Sequence, residues 1–202
     1  MAHTINLLYR NSLLIFYEYV TILNEKKRKE WCAMADVFEV ARYLLSLDTD
    51  DKYFNKNLAC LNGRKFYEGN ARLNKMLHLA NNVFLVKSDG ENLIDTNFYA
   101  YDNGAVAPEV QENYSRLLAK KHSSVASTLP EDTKLFLKKM FFALKDAPLE
   151  ELIGIDHEDP EWQDKHIFTK KLDQLMDSKH YLEDYKERYR DFLNILESME
   201  IA

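Results

Sequence analysis

The chain has 202 residues, of which 46% are hydrophobic and 12% aromatic, enough for a sizeable core in one domain with helical additions. Only 5 Gly and 4 Pro argue against an all-β sandwich built on tight turns. With 27 basic against 33 acidic residues the net charge is −6, the wrong sign for a phosphate-binding surface.

The first apolar stretch, Ile5 to Leu23, is interrupted by Asn6, Arg10, Asn11 and Glu18, whereas a membrane span needs about 20 mostly apolar residues. Ile5, Leu8, Ser12, Ile15, Tyr19 and Ile22 follow helical spacing, so the stretch, in an N-terminal extension over residues 1–33, reads as a helix packed against the domain or a partner, with the domain favoured because buried helices are commoner than binding helices. Lys26-Lys27-Arg28-Lys29, flanked by Glu25 and Glu30, reads as a solvated helix face. Met1 to Asn11 lacks the basic leader of a signal peptide. Cys32 and Cys60 have neither metal-ligand spacing nor the number for a disulfide framework. The expected location is the cytoplasm.

Asp36 is placed to cap a helix running to about Leu47, with Val37, Val40, Ala41, Leu44 and Leu45 on one face. Asp48 to Gly69 has little periodicity and is punctuated by Asp48-Thr49-Asp50-Asp51 and Asn62-Gly63, so a long loop with room for one short helix is expected. Then Leu73, Met76, Leu77, Ala80, Val83 and Phe84 fall in one sector of a helical wheel. Asn74, Lys75, His78, Asn81 and Asn82 fall opposite, which predicts a wet face; only Leu79 breaks the pattern. Ser88-Asp89-Gly90 signals a turn, Leu93 to Tyr101 a strand, and Asn103-Gly104 its end. Pro108 and Glu109 suit the first turn of a helix reaching about Lys121.

Pro130-Glu131-Asp132 opens a helix carrying Leu135, Leu137, Phe141, Phe142 and Leu144, and Pro148 opens a short one ending at Gly154. Ile167 to Met199 reads as one long or two shorter helices, a C-terminal extension over residues 166–202. The expected fold is mainly α: a single helical domain over 34–165 with a small β-hairpin or strand pair, plus N- and C-terminal helical extensions.

His157-Glu158-Asp159 offers three acid-base or ligand groups in a row, but neighbouring side chains diverge on a helix or strand and no second His/Cys pair supports a metal. The reading is local: His157 orients by hydrogen bonding, Asp159 caps the helix begun at Pro160, and Trp162 packs underneath. Nucleophile elbows, phosphate-binding Gly loops and paired Cys motifs are absent from the sequence, so no catalytic set, metal or cofactor is expected and the chain is not read as an enzyme. Tyr99 and Tyr101 alternate with Phe98 and Ala100, so one set must face outward. With Lys75 and His78 they form the candidate surface for a protein partner.

Leu73-Asn74-Lys75-Met76-Leu77-His78 resembles the L-x-K-L-L-Y helix of the Panacea-domain antitoxins, also described as SocA-like or phage-associated proteins. Phe98-Tyr99-Ala100-Tyr101 with Gly104 and Val106-Ala107-Pro108-Glu109-Val110 resembles that family's F-x-A-W-x-x-G-P-V-x-P-E-V stretch. Glu151-Leu152, His157 and Trp162 resemble its L-x-x-L-x-H-x-x-x-P-W block, and Asp36-Val37, Val40-Ala41 and Tyr43-Leu44-Leu45 its opening helix. The likeness spans roughly residues 34–165, and three ordered blocks are more specific than one short motif. Ala105 stands where the family usually has Pro, Asn103 where it often has an aromatic, and Gln111 where it often has Tyr; residues 46–70 are longer than the usual connection.

The resemblance implies a cytoplasmic bacterial or prophage protein that neutralises a cognate toxin, usually from a neighbouring gene, by direct binding. One family member also acts as an adaptor delivering its toxin to a Clp-type protease. The alternatives are a metal-dependent or acid-base enzyme centred on His157, or a phage nucleic-acid-binding protein, against which the charge of −6 counts.

Overall fold

The computed structural model describes residues 34–61, 63–121, 127–169 and 175–201. The helix expected over Ile5–Leu23 and the Lys26–Lys29 run lie outside the described residues. In chain order the elements are β1 (Ala35–Asp36), α1 (Val37–Leu47), β2 (Leu58–Leu61), β3 (Arg64–Tyr67), α2 (Glu68–Lys87), β4 (Ile94–Asp95), β5 (Tyr99–Tyr101) and β6 (Gly104–Val106). There follow α3 (Pro108–Ala119), α4 (Glu131–Leu144), α5 (Leu149–His157), α6 (Pro160–Thr169), a 3-10 turn (Ser178–Tyr181) and α7 (Leu182–Ser198). The fold is mainly α, as the sequence predicts.

The start of α1 forms as its sequence dictates. Asp36 Oδ1 accepts the Glu39 backbone N–H at 3.0 Å, and Val37, Val40, Ala41, Leu44 and Leu45 are buried. The helix stops at Asp48, whose buried carboxylate accepts backbone N–H groups from Lys52, Tyr53 and Phe54 at 2.8–3.1 Å and so folds the next loop around itself. Lys121, at the end of α3, closes on that carboxylate at 3.3 Å.

The 20-residue helix α2 occupies the centre, with α1, α3, α4, α5 and α7 packed against it. Leu73, Leu77, Ala80 and Phe84 are buried as expected, with Val110, Phe141 and Leu152 from its neighbours. The predicted wet face does not exist. Asn74, Lys75, His78, Asn81 and Asn82 are each no more than 4% exposed, because a helix ringed by others has no solvent side. The amphipathic pattern is real, but its polar half faces protein.

Among the described residues, three two-stranded sheets decorate the helices. β1 and β4 pair in parallel, β2 and β3 antiparallel, and β5 and β6 antiparallel with Tyr99 opposite Val106 and Tyr101 opposite Gly104. Three elements differ from expectation. The 93–101 segment is two short strands rather than one, and Asn103-Gly104 lies at a hairpin turn, with Gly104 at φ 93°. The supposed loop after Asp48 contains the β2–β3 hairpin, with Gly63 at φ 77° between its strands. Helix α5 runs through Gly154 to His157.

On α4 the buried face carries Phe136, Leu137, Met140, Phe141 and Leu144, while Leu135 and Phe142 are exposed, so its inward stripe is rotated from the one expected. The C-terminal segment packs into the same compact unit: Tyr185, Tyr189 and Leu196 of α7 are buried, and α7 lies along α2 and α4.

Candidate functional site

Each polar residue of α2 meets a different element. Asn74 Oδ1 accepts the Ala107 N–H at 2.9 Å, and Asn81 Oδ1 accepts those of Leu93 and Ile94 at 3.1 and 3.2 Å. Buried amides thus satisfy backbone N–H groups beside the short strands. Lys75 and His78, one turn apart, converge on Asp156 in the last turn of α5. Asp156 Oδ2 accepts from Lys75 Nζ at 2.9 Å and from the Ala105 N–H at 2.8 Å, and Oδ1 lies 3.0 Å from His78 Nδ1. Lys75 Nζ also donates to the Ala105 carbonyl at 2.7 Å.

Gly104 makes this closeness feasible. A Cβ there would lie 2.6 Å from Asp156 Oδ2 and 2.7 Å from Lys75 Nζ, at a φ that L side chains rarely adopt. Ala105 matters for its N–H. A Pro at this position would leave Asp156 without that donor.

Burial penalises every charge in the cluster. For Lys75 burial prevails over the attraction of Asp156, and its pKa falls below the ordinary lysine value. For Asp156 burial is outweighed by Lys75 and His78, which hold its carboxyl below the usual range. Burial likewise opposes protonation of His78, but Asp156, with Asp159 and Glu161 farther off, raises its pKa.

A second tier lies beside the first. Asp159 Oδ1 accepts the N–H groups of Glu161 and Trp162 at 2.9 and 3.0 Å and the Tyr185 hydroxyl at 3.0 Å, while Oδ2 accepts from Asn82 at 3.2 Å. The expected cap of α6 is therefore also a junction between α2 and α7. Glu161 accepts from the Asp177 N–H and from Ser178 Oγ, and burial pushes its carboxyl up to about 7.

His157 behaves as the local reading expects. Its Nε2 donates to the Asp102 carbonyl at 3.1 Å, and its ring stacks on Trp162 at 4.3 Å. Trp162 Nε1 in turn donates to the Tyr101 carbonyl at 2.9 Å. Glu158 points elsewhere, 3.4 Å from Arg188. Among the described residues no group of three or more His, Cys, Asp or Glu side chains is placed to hold a metal ion.

The four residues expected to share a contact surface do not. Lys75 and His78 are interior. Tyr99 and Tyr101 do share the outer face of β5, both half-buried, while Ala100 between them is fully buried. Tyr99 lies against Leu175 through a backbone bridge. Tyr101 instead lines a cleft of about 160 Å³ between the β2–β3 and β5–β6 hairpins, with Arg64, Phe66, Asn70 and Asn103, and Lys75 at its floor. Arg64 Nη1 meets Asp102 Oδ2 at 2.9 Å and ties one hairpin to the other.

Sequence reasoning missed Asp156, the centre of the cluster, because an acid near a helix C-terminus opposes the helix dipole and reads as solvated. It also missed the β2–β3 half of the cleft, although Asn-Gly between two four-residue runs is the strongest short hairpin signal. Comparison of the chain with protein-family models, with curated proteins and with solved structures finds no match in any of the three.

Proposed function

We propose that this chain is a Panacea-like antitoxin: a cytoplasmic protein that neutralises a toxin encoded beside it by direct binding, in a form that can also deliver the toxin to a Clp-type protease. One observation carries the reading. The three sequence blocks on which the resemblance rests interlock at a single point. Lys75 of the first block bonds the Ala105 carbonyl in the second and Asp156, next to His157 of the third. Trp162 and His157 of the third block clasp the carbonyls of Tyr101 and Asp102 in the second.

Residues bound up in one another in this way hold a shape, and they leave the outer surface to make contacts. Leu73, Leu77, Gly104 and Trp162 then matter as architecture, and Pro108 and Glu109 as the opening of α3, where Glu109 also accepts from Thr96. For an enzyme centred on His157, the geometry offers a ring whose Nε2 proton already goes to a backbone carbonyl and whose face is stacked on indole. No helix among the described residues is long and apolar enough to cross a membrane.

The test is co-expression with the products of the adjacent genes. A neighbour that arrests growth alone, is tolerated with this chain, and co-purifies with it is the expected result. Wild-type protein that neither rescues growth nor retains any neighbouring product would overturn the reading.

A further inference from the structure

Two polar groups at the cleft between the hairpins have unfilled hydrogen-bonding capacity. An ammonium has three N–H donors. Lys75 uses one on Ala105 O and one on Asp156 Oδ2, and among the described residues the third meets no acceptor, although the side chain is 2% exposed. Asn103, which also lines the cleft, carries a buried Oδ1 with no donor among the described residues. Unfilled buried groups are rare in native proteins and call for an explanation, an unoccupied ligand position among them.

The surroundings indicate which ligand. Arg64 and Lys65 stand exposed at the rim; Asp102, also in the lining, pairs with Arg64, so Lys65 leaves the rim an excess of positive charge in a chain whose net charge is −6. Phe66 and Tyr101 supply apolar walls suited to methylenes rather than to a bare inorganic anion. The volume of about 160 Å³ is that of one side chain rather than of a cofactor. Beside the cleft, none of the described residues of the β2–β3 hairpin is buried, and it presents Leu58 at 66% exposure and Tyr67 at 36%, an apolar edge of the kind protein partners cover.

We propose that this cleft is the seat of an acidic side chain, Glu or Asp, presented by the protein partner. The carboxylate takes the third N–H of Lys75 and the field of Lys65 and Arg64, a backbone N–H of the same segment satisfies Asn103 Oδ1, and the stem lies between Phe66 and Tyr101. The inference rests on the protein-binding reading above and adds where the partner is held and by which chemistry.

The test uses the full chain and two capped peptides identical except for a central Glu or Gln, titrated to millimolar concentration while backbone amide resonances are followed. The Glu peptide should shift Asp102, Asn103, Gly104 and Ala105 saturably and bind at least tenfold tighter than the Gln peptide. Asn103→Asp keeps an acceptor but sets a like charge beside the bound carboxylate, and Lys65→Glu reverses the rim charge. Each should weaken the Glu peptide at least tenfold with Tm unchanged. Equal affinity for the two peptides, no saturable shift, shifts elsewhere, or inorganic phosphate binding as tightly as the Glu peptide would each overturn the proposal. A second arm separates the two readings. If the wild type and Asn103→Asp capture the neighbouring gene product equally, the cleft assignment fails and the antitoxin reading stands. If the Glu peptide seats in the cleft but no neighbouring product is retained, the cleft stands and the antitoxin reading fails.

Discussion

Replacing Asp156 by Asn should be among the most damaging single-atom-scale changes in this protein. The carboxylate sits between Lys75 Nζ at 2.9 Å and His78 Nδ1 at 3.0 Å, with both partners and Asp156 itself almost wholly buried. An amide there keeps the shape and an acceptor for Ala105 N–H but removes the one charge among the described residues that compensates Lys75 at contact distance. Removing one partner of a buried ion pair typically costs about 3–5 kcal/mol, since the other charge stays behind unpaired. For a chain of this length each kcal/mol moves Tm by about 2–4 °C, so a fall of roughly 6–20 °C is expected. Thermal unfolding at neutral pH followed by circular dichroism measures it. The companion experiment is the double replacement Lys75→Met with Asp156→Leu, in which neither charge remains. It should recover part of the loss, because no unpaired charge remains, while the Ala105 N–H and His78 Nδ1 still lose their acceptor. Single variants each costing under about 1 kcal/mol, with no coupling between them, would refute the argument that this pair anchors α5 to α2.

Gly104→Ala combines a positive φ, which costs an L-residue about 1–2 kcal/mol, with a Cβ driven into Asp156 and Lys75. It should lower Tm at least as far as the isolated backbone penalty, whereas Gly63→Ala, with open space around it, should show the backbone penalty alone. Glu161 titrates near 4.5 in the unfolded chain and at about 7 when folded, so the stability it contributes is complete below pH 4.5 and lost as pH rises through 7. His78, also raised, acts in the same direction from its ordinary 6.5 upward, while Asp156, lowered, contributes above 3.8 and fails only as pH falls. Tm should therefore decline from pH 4.5 toward 7, and Glu161→Gln should flatten that decline; parallel profiles for the two proteins would rule out Glu161 as its source. His157→Ala should alter stability through its lost contact with Trp162 and remove no chemistry. A stoichiometric zinc or iron retained by the purified wild type through dialysis and lost in this variant would reverse that view.

What the sequence made legible was local. The Asp36 cap, the Pro108 and Pro130 starts and the Asp159 cap are settled by side chains within four residues, and each forms as read. The apolar stripe of α2 was also plain, because Leu73, Leu77, Ala80 and Phe84 repeat at helical spacing. Its polar stripe misled. Asn, Lys and His at i, i+3 and i+4 describe a solvated face and a buried network equally well, and what decides between them is whether acids arrive from elsewhere in the chain. Asp156 and Asp159 arrive from nearly eighty positions away, and no window of the sequence contains both halves. The contact surface failed for the same reason: Tyr101 faces outward as the strand period requires, but Lys75 and His78 do not accompany it as exposed groups.

The buried position of Lys75 and His78 also bears on how the chain folds. Their partner in α5 is separated from His78 by 78 residues, so during folding the central helix can form and gather α1 and α3 long before Asp156 is available. Until then, closing the core would strand two basic groups in a dry interior, and any collapsed form without α5 carries that electrostatic penalty. Half-built species are thereby disfavoured relative to both ends of the reaction, and cooperative unfolding is the expected result. A chain ending before Leu149 should accordingly behave as an expanded polymer rather than as a smaller domain.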